Sequence, residues 1–194
     1  MGMKSFAALL VLASGLANAE PVPLFDGKSL DGWKIQGADY WKVVDGVVTG
    51  QSDEKKKNSI LWTKKDFTDF ALDLEFRFSG HIDSGVFLRH MNEQIQIGIS
   101  GSLKRDMTAS PYIGSKRGYP VEAEGVKELL KEGEWNSMRI VAKGNHYAVT
   151  LNGKEVMNYD SDTARDKGPI GLQVHPGVEM KVEFRGLTLE ELAE

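Results

Sequence analysis

The feature that most restricts the fold of this chain is an alternation of apolar and polar residues that recurs in five separate stretches. The clearest stretch reads Leu72-Asp73-Leu74-Glu75-Phe76-Arg77-Phe78, and the same rhythm occupies residues 85–90, 94–100, 171–175 and 181–187. Successive side chains of a β-strand point to opposite faces, so this period of two predicts strands with one apolar face and one polar face. The chain is therefore expected to bury the apolar faces between β-sheets.

Turn signals and short strands extend this pattern along the chain. Asp45-Gly46 and Asn152-Gly153 each separate two apolar runs, as the dipeptides of two-residue hairpin turns do. Further strands are predicted over residues 59–63, 70–78, 135–141, 169–174 and 179–189. Because short strands with Gly-rich turns dominate and no long helical pattern occurs, we predict an all-β fold, a two-sheet antiparallel jelly roll with less than about 10% helix.

One long connection, residues 101–134, departs from the strand pattern. It contains prolines, glycines and a short helical segment at residues 126–131. Loops longer than about 12 to 15 residues are usually functional or disordered. Tyr112 and Tyr119 in this segment carry rings that suit stacking on a sugar, and a plain surface excursion is the alternative.

Residues 1–19 have the organisation of a secretory signal peptide. Lys4 supplies a positive start, residues 6–12 form an apolar run, and Ala17-Asn18-Ala19 matches a cleavage site. We expect residues 20–194 to be the mature chain, a single domain located in the periplasm or outside the cell. A buried N-terminal helix is the alternative. The apolar run is shorter than the roughly 20 residues that a membrane span needs.

Charge and missing motifs exclude several classes of function. The formal net charge is −4 without a basic patch, so nucleic acid is not an expected partner. The chain contains no cysteine, no P-loop, no G-x-G-x-x-G and no G-x-S-x-G, which argues against nucleotide binding and esterase or cysteine-protease chemistry. The four histidines lack the close spacing of a zinc site. A site for a divalent metal built from dispersed residues stays open.

The polar faces of the alternating stretches carry side chains that suit a sugar-binding groove. Guanidinium groups, side-chain amides and an imidazole can hydrogen-bond vicinal hydroxyls and carbonyl oxygens. We expect one sheet face to gather these residues: Glu75, Arg77, Arg89, Gln96, Gln173, His175 and Arg185. The alternative is an ordinary solvated sheet face, on which Arg77 and Arg185 would pair with Asp73 and Glu183.

Asp73 and Glu75 form the acidic pair closest to the arrangement of a glycosidase. They share a strand face, and their Cα atoms are expected about 6.5 to 7 Å apart. A retaining glycosidase needs two carboxyl groups about 5 to 5.5 Å apart, one of them nucleophilic. Since the sequence shows no further leaving-group acid, it supports a standard two-carboxylate glycosidase only weakly.

Several motifs, taken in order along the chain, resemble those of one bacterial family. Residues 23–33 read Pro-Leu-Phe-Asp-Gly-Lys-Ser-Leu-Asp-Gly-Trp, residues 83–89 read Asp-Ser-Gly-Val-Phe-Leu-Arg, and residues 168–175 read Gly-Pro-Ile-Gly-Leu-Gln-Val-His. These segments are similar to motifs of the 3-keto-disaccharide hydrolase domain family, and the resemblance spans essentially all of residues 20–194. It implies a concanavalin-like jelly roll. The chain departs from the family at Gln94, where an acidic residue is common.

The resemblance implies a secreted carbohydrate-active enzyme that cleaves 3-keto-glycosides, with an oligosaccharide or glycoside as substrate. The ketone acidifies the C2 proton, so a base can form an enolate whose collapse expels the C1 substituent, and hydration completes a net hydrolysis. His175 is the expected base or acid, Arg89 stabilises the enolate oxygen, and Glu75 orients the histidine, relays a proton or holds a divalent cation. Gln96, Gln173 and Tyr112 are the expected substrate-binding residues. A sugar 3-dehydrogenase would act in the same pathway.

Other interpretations compete with this one. His175 precedes Pro176 and would then only end a strand, and the four tryptophans would more often be core residues than sugar platforms. A non-catalytic carbohydrate-binding jelly-roll module, or a structural or adhesive one, would share the fold. The catalytic interpretation requires Glu75, Arg89, Gln96, Gln173 and His175 to converge on one face beneath residues 101–134.

Overall fold

The computed structural model describes residues 20–193, in which two antiparallel β-sheets face each other. The predicted signal peptide, residues 1–19, lies outside the described residues. Helix accounts for 5% of the structure and is confined, in the described part of the chain, to the short segments α1 (Gly114–Arg117) and α2 (Val126–Leu129). The predicted all-β, two-sheet jelly roll is therefore confirmed.

The larger sheet, called the outer sheet here, has eight strands in the order β12-β11-β10-β6-β14-β4-β3, with β1 paired to β14. Its strands are β1 (Val22–Pro23), β3 (Trp41–Val44), β4 (Val47–Gln51), β6 (Phe70–Phe78), β10 (Asn136–Lys143), β11 (His146–Leu151), β12 (Lys154–Asp160) and β14 (Lys181–Glu191). Both predicted two-residue turns join neighbouring strands of this sheet, because β3 pairs with β4 and β11 pairs with β12.

The smaller sheet, called the groove sheet, has six strands in the order β2-β5-β13-β7-β8-β9. They are β2 (Trp33–Gly37), β5 (Ser59–Thr63), β7 (Asp83–Leu88), β8 (His90–Gly98), β9 (Pro111–Tyr112) and β13 (Ile170–Val174). The prediction placed β7 at residues 85–90, but Arg89 adopts a left-handed φ of 64°. An L-residue in that region does not continue a strand, so β7 ends at Leu88 and β8 begins directly after the turn.

The core lies between the two sheets and is built from their apolar faces. Leu72, Leu74 and Phe76 alternate along β6 with polar residues and are buried. They belong to one apolar cluster with residues of the groove sheet such as Val86 and Leu172. The period of two in the sequence thus identified the buried face of β6. The described residues contain no helix that is long and apolar enough to cross a membrane.

Ion pairs occupy the polar face of the outer sheet. Glu75 accepts two hydrogen bonds from the Arg185 guanidinium, at 2.7 and 3.2 Å. Arg77 pairs with Glu183 at 2.8 Å, and Asp73, considered above as an arginine partner on this face, pairs with Arg139 instead. Both guanidinium groups also lie over the ring of Trp135, at 4.7 Å for Arg77 and 4.1 Å for Arg185. This face is a partly exposed network of charges rather than a groove.

Candidate functional site

The groove sheet carries a cavity of about 540 Å³ on the face that points away from the core. Strands β7, β8 and β13 form its floor, while residues after β8 and after β13 form its walls. The residues that line it, called the groove from here on, are Asp83, Phe87, Met91, Gln94, Gln96, Ser100, Gly101, Ser102, Lys104, Tyr112, Tyr119, Gln173, His175, Pro176, Gly177 and Val178.

Strand register arranges the floor residues in rows across the sheet. Phe87 lies opposite Gly171 on β13 and opposite Gln94 on β8, and Gln94 in turn lies opposite Tyr112 on β9. The next outward-facing row contains Gln96, which lies opposite Gly85. Asp83 starts β7 at the other end of the floor. One end of the groove is therefore formed around Phe87 and the other around Asp83.

Asp83 is a buried carboxylate, with a side chain that is 6% exposed. Its Oδ1 accepts a hydrogen bond from Gln96 Nε2 at 2.8 Å, and its Oδ2 accepts one from the Gly101 N–H at 2.8 Å. The second bond attaches the start of the long connection, residues 101–134, to the sheet. Because the amide nitrogen of Gln96 donates to Asp83, the amide oxygen of this groove residue can serve as an acceptor.

His175 follows β13 and is held at the Asp83 end of the groove. Its Nδ1 lies 2.7 Å from the Pro176 carbonyl oxygen, a contact that requires Nδ1 to carry a proton. The neutral ring then has its lone pair on Nε2, where it can accept a proton. Asp83 Oδ2 lies 3.9 Å from Nδ1, too far for a hydrogen bond but close enough to stabilise an imidazolium.

Side-chain amides form the middle of the floor. Gln94 Nε2 donates to Gln173 Oε1 at 2.7 Å, so the Gln173 amide nitrogen is left to donate to a ligand. The Gln94 side chain lies across Gly85, where a Cβ atom would come within 2.6 Å of the amide. Gly85 therefore creates the space in which Gln94 lies flat.

Two tyrosines from the long connection stand beside the groove. The rings of Tyr112 and Tyr119 are 5.2 Å apart at an interplanar angle of 56°. Burial raises the pKa of Tyr119 to about 12, the negative charge of Asp83 adds to this, and a hydrogen bond with Ser100 opposes it. Tyr119 is consequently a neutral phenol that can donate a hydrogen bond at any pH below about 10.

The structure separates two of the predicted site residues from the groove. Glu75 lies on the polar face of the outer sheet and pairs with Arg185, so the expectation that it converges with His175 is wrong. The physical reason is that both sheets of a sandwich have an outward polar face. Alternation in the sequence identifies such faces but does not assign them to one sheet.

Arg89 is 1% exposed and points away from the groove. Its guanidinium donates to the carbonyl oxygens of Thr68, Ala142, Gly144 and Arg165 and to Asp69. The expectation that Arg89 shares a face with His175 is therefore wrong as well. The left-handed turn at Arg89 interrupts the alternation and directs its side chain toward the interior end of the sandwich.

Gln96, Gln173, His175 and Tyr112 do line one groove, as predicted, together with residues that sequence reasoning did not select. The missed residues include Asp83, Gln94 and Lys104, whereas Tyr119 lines the groove beside Tyr112 as the sequence indicated. Asp83 opens β7, two residues before the predicted start of that strand at residue 85. Gly85 could have indicated Gln94, because an isolated glycine within a strand often marks the close approach of another group, and the Gln94 side chain lies over Gly85.

Within residues 20–193, no group of three or more His, Asp or Glu side chains is arranged to hold a metal ion. Asp83 and His175 are the acidic and imidazole side chains of the groove, and Lys104 is its other charged residue. The groove side chains thus supply one carboxylate, one imidazole and two phenols as the groups that can bind or move protons.

Comparison with known families agrees with this geometry. Residues 20–190 match the family described as 3-keto-alpha-glucoside-1,2-lyase-like domains. The chain belongs to this family. The resemblance seen in the sequence motifs is therefore confirmed, and the 3-keto-alpha-glucoside-1,2-lyase-like domain indicates a carbohydrate-active protein of the glycosyl-hydrolase kind. Among curated proteins, none is significantly similar to the chain in sequence.

Solved structures similar to this 3-keto-alpha-glucoside-1,2-lyase-like domain include candidate glycosyl hydrolases and a carbohydrate-binding module. A candidate glycosyl hydrolase from Parabacteroides distasonis ATCC 8503 is 28% identical with a TM-score of 0.69, covering 89% of this chain and 100% of its own. A second one from that organism is 19% identical with the same TM-score, covering 89% of this chain and 94% of its own. The carbohydrate-binding module CBM66 from Bacillus subtilis, 15% identical with a TM-score of 0.55, covers 82% and 95% respectively and shares the fold.

Proposed function

We propose that the chain is a carbohydrate-active enzyme that cleaves 3-keto-glycosides in the groove, with His175 as the proton-transfer residue. The observation that carries the proposal is the pairing of His175 with the buried carboxylate of Asp83 in an open groove of a domain from this family. A carboxylate beside an imidazole stabilises the cation that forms when the imidazole accepts a proton. The Pro176 carbonyl holds the ring, the role that the sequence assigned to Glu75, and Asp83 supplies the nearby negative charge.

The reaction begins with removal of the C2 proton of the keto sugar by His175 Nε2. The electron pair of the C2–H bond moves toward the C3 carbonyl and gives an enolate. When that pair returns, it forms the C1–C2 double bond, the bond from C1 to the glycosidic oxygen breaks, and the leaving group takes up a proton. Addition of water to the resulting enone gives net hydrolysis, whereas release of the enone is the lyase outcome.

Other groove residues supply the remaining requirements of this reaction. Tyr119 keeps its phenolic proton because burial raises its pKa to about 12, so it can donate to the enolate oxygen or to the leaving group. Lys104 adds a positive charge on the same side, since its backbone N–H bonds to the Ser100 carbonyl just beyond β8. The Gln173 amide nitrogen and the Gln96 amide oxygen suit a donor and an acceptor contact with sugar hydroxyls.

The decisive experiment compares two histidine variants on 3-keto-glycosides and on the unoxidised disaccharides, with and without a chelator. His175→Ala should lower turnover of the keto substrates about 10²- to 10⁴-fold while the fold is kept, because proton-transfer groups contribute that much. His146→Ala is the matched control. His146 lies on β11, in the outer sheet, and contacts Asp160 and Asn158, so turnover should not change.

A non-catalytic sugar-binding module is the second candidate function, favoured by the amide floor and the pair of tyrosine rings beside it. This alternative predicts saturable glycan binding in calorimetry that survives His175→Ala, without turnover in the native protein. Full activity of His175→Ala on a 3-keto-glycoside would contradict the proposed role of His175. Cleavage of unoxidised disaccharides at the same rate would contradict the enolate route.

A further inference from the structure

The two ends of the groove differ in chemistry, and this difference bears on which glycosides the proposed enzyme would accept. Asp83 and Phe87 are four residues apart on β7, which at the rise of a strand corresponds to roughly 13 Å. Of the residues that line the groove, those with ionisable cationic or acidic side chains are Asp83, Lys104 and His175. All of them lie at the Asp83 end, because Lys104 belongs to the turn that follows Gly101.

The Phe87 end is apolar and aromatic. Phe87 stacks on Trp62 with ring centroids 5.4 Å apart, and a Cβ atom at Gly171 would lie 2.6 Å from the Trp62 ring. The Trp62 indole therefore packs directly over Gly171, which has no side chain, on the neighbouring strand β13. Tyr112 borders the same row through its pairing with Gln94. This end of the groove presents the Phe87 ring, with Trp62 packed behind it, whereas Asp83, Lys104 and His175 lie at the other end.

Met91 completes this end and is exposed to an unusual degree for its type. It is 52% exposed near the start of β8, and it lines the groove. Contact with an apolar or aromatic ligand would remove this exposed apolar side chain from water, and the flexible chain of Met91 can adapt to different ligand shapes. The polar side chains bordering the same end are Gln94, which donates one of its two amide hydrogens to Gln173, and Tyr112. A second sugar ring would thus find few partners for its hydroxyls there.

We infer that the Phe87 end of the groove is a subsite for an apolar, aromatic aglycone, while the keto sugar occupies the Asp83 end. This inference rests on the proposed function, because it assigns the leaving group of that reaction. It names the substrate class as glycosides of arylalkyl or similar alcohols, in preference to disaccharides. Met91 and Phe87 are the residues that would distinguish the two classes.

The test measures kcat/KM for three 3-keto-glucosides of one anomer that carry benzyl, methyl or glucosyl as aglycone. Benzyl and methyl alcohols are similarly poor leaving groups, so their difference reports contact with the aglycone. We expect the benzyl compound to exceed the methyl compound at least about tenfold, since even one methylene in an apolar pocket can give that discrimination. Met91→Ser should reduce this preference about threefold or more through lost apolar contact area.

Val44→Ser is the control, because Val44 is 41% exposed on β3 of the outer sheet and does not line the groove. It should leave the benzyl preference unchanged. Three outcomes would overturn the aglycone inference and leave the proposed function standing. They are a benzyl-to-methyl ratio of kcat/KM near one, a ratio that Met91→Ser does not change, and faster cleavage of the glucosyl compound. If none of the three compounds is cleaved, the proposed function fails. In that case, calorimetry compares the affinities of unoxidised benzyl and methyl glucosides. Tighter binding of the benzyl glucoside would support an aromatic subsite at the Phe87 end, and equal affinities would exclude such a subsite.

Discussion

Arg89 provides the sharpest stability prediction, because a single buried side chain joins segments that are far apart in sequence. Its guanidinium donates to four backbone carbonyls and to the Asp69 carboxylate, at distances from 2.5 to 3.2 Å. Removing one partner of a buried ion pair costs roughly 3 to 5 kcal/mol. Each buried acceptor left without a donor adds about 1 to 3 kcal/mol, although water entering the space reduces the sum. We expect Arg89→Ala to lower the free energy of unfolding by about 5 kcal/mol.

Urea unfolding followed by tryptophan fluorescence measures this loss. With a denaturant dependence of about 2 kcal/mol per molar urea, the midpoint should fall by roughly 2.5 M. Arg185→Ala is the control. Arg185 pairs with Glu75 on the partly exposed face of the outer sheet, and its midpoint should stay close to that of the native protein because such pairs are screened by solvent. A native midpoint in Arg89→Ala, combined with lost turnover, would refute this reasoning and favour a catalytic role for Arg89.

Four further substitutions test the packing of the two sheets and the electrostatics of Tyr119. Leu74→Ala should lower the free energy of unfolding by about 2 to 5 kcal/mol, measured by urea unfolding, because Leu74 is buried on the core face of β6; an unchanged midpoint would contradict its assignment to the core. Gly171→Ala should cost about 1 to 3 kcal/mol, since its Cβ would meet the rigid Trp62 ring at 2.6 Å. Gly85→Ala should cost less, because it meets the flexible Gln94 side chain, but should weaken sugar binding in calorimetry; the reverse order of stabilities would refute this comparison. Finally, the pKa of Tyr119 is raised to about 12, so the folded state holds this proton while the unfolded state loses it from about pH 10. Stability should then fall as the pH rises from about 10 to 12, and it should fall less in Tyr119→Phe, as thermal unfolding across this range would reveal.

Local pattern predicted most of the fold. The sequence pattern predicted β6 and β5 with their full bounds, residues 70–78 and 59–63, and the Asp-Gly and Asn-Gly dipeptides identified two hairpins. These predictions succeeded because strand periodicity and turn chemistry depend on neighbouring residues. The short edge strands β2 and β9 were not predicted. β9 has two residues and begins with Pro111, so it shows no alternation.

The site was predicted only in part, because its assembly depends on which sheet each strand joins. Gln96, Gln173 and His175 were found by their outward positions and residue types, and they do lie together. Glu75 satisfied the same local rule but belongs to the other sheet. Since two β-sheets present two outward faces, period alone cannot separate them, and strand pairing over long sequence distances decides the outcome.

The position of β9 affects how copies of this domain can associate. A sheet edge with unpaired N–H and C=O groups is a template on which another strand can add, and proteins limit this with short strands and proline. The groove sheet ends at β9, where Pro111 has no N–H to offer and the strand stops after Tyr112. Its opposite edge, β2, is longer and mostly exposed. Strand addition is therefore expected at β2, far across the sheet from the tyrosines, so that aggregation or assembly through this sheet would leave the groove open to ligands.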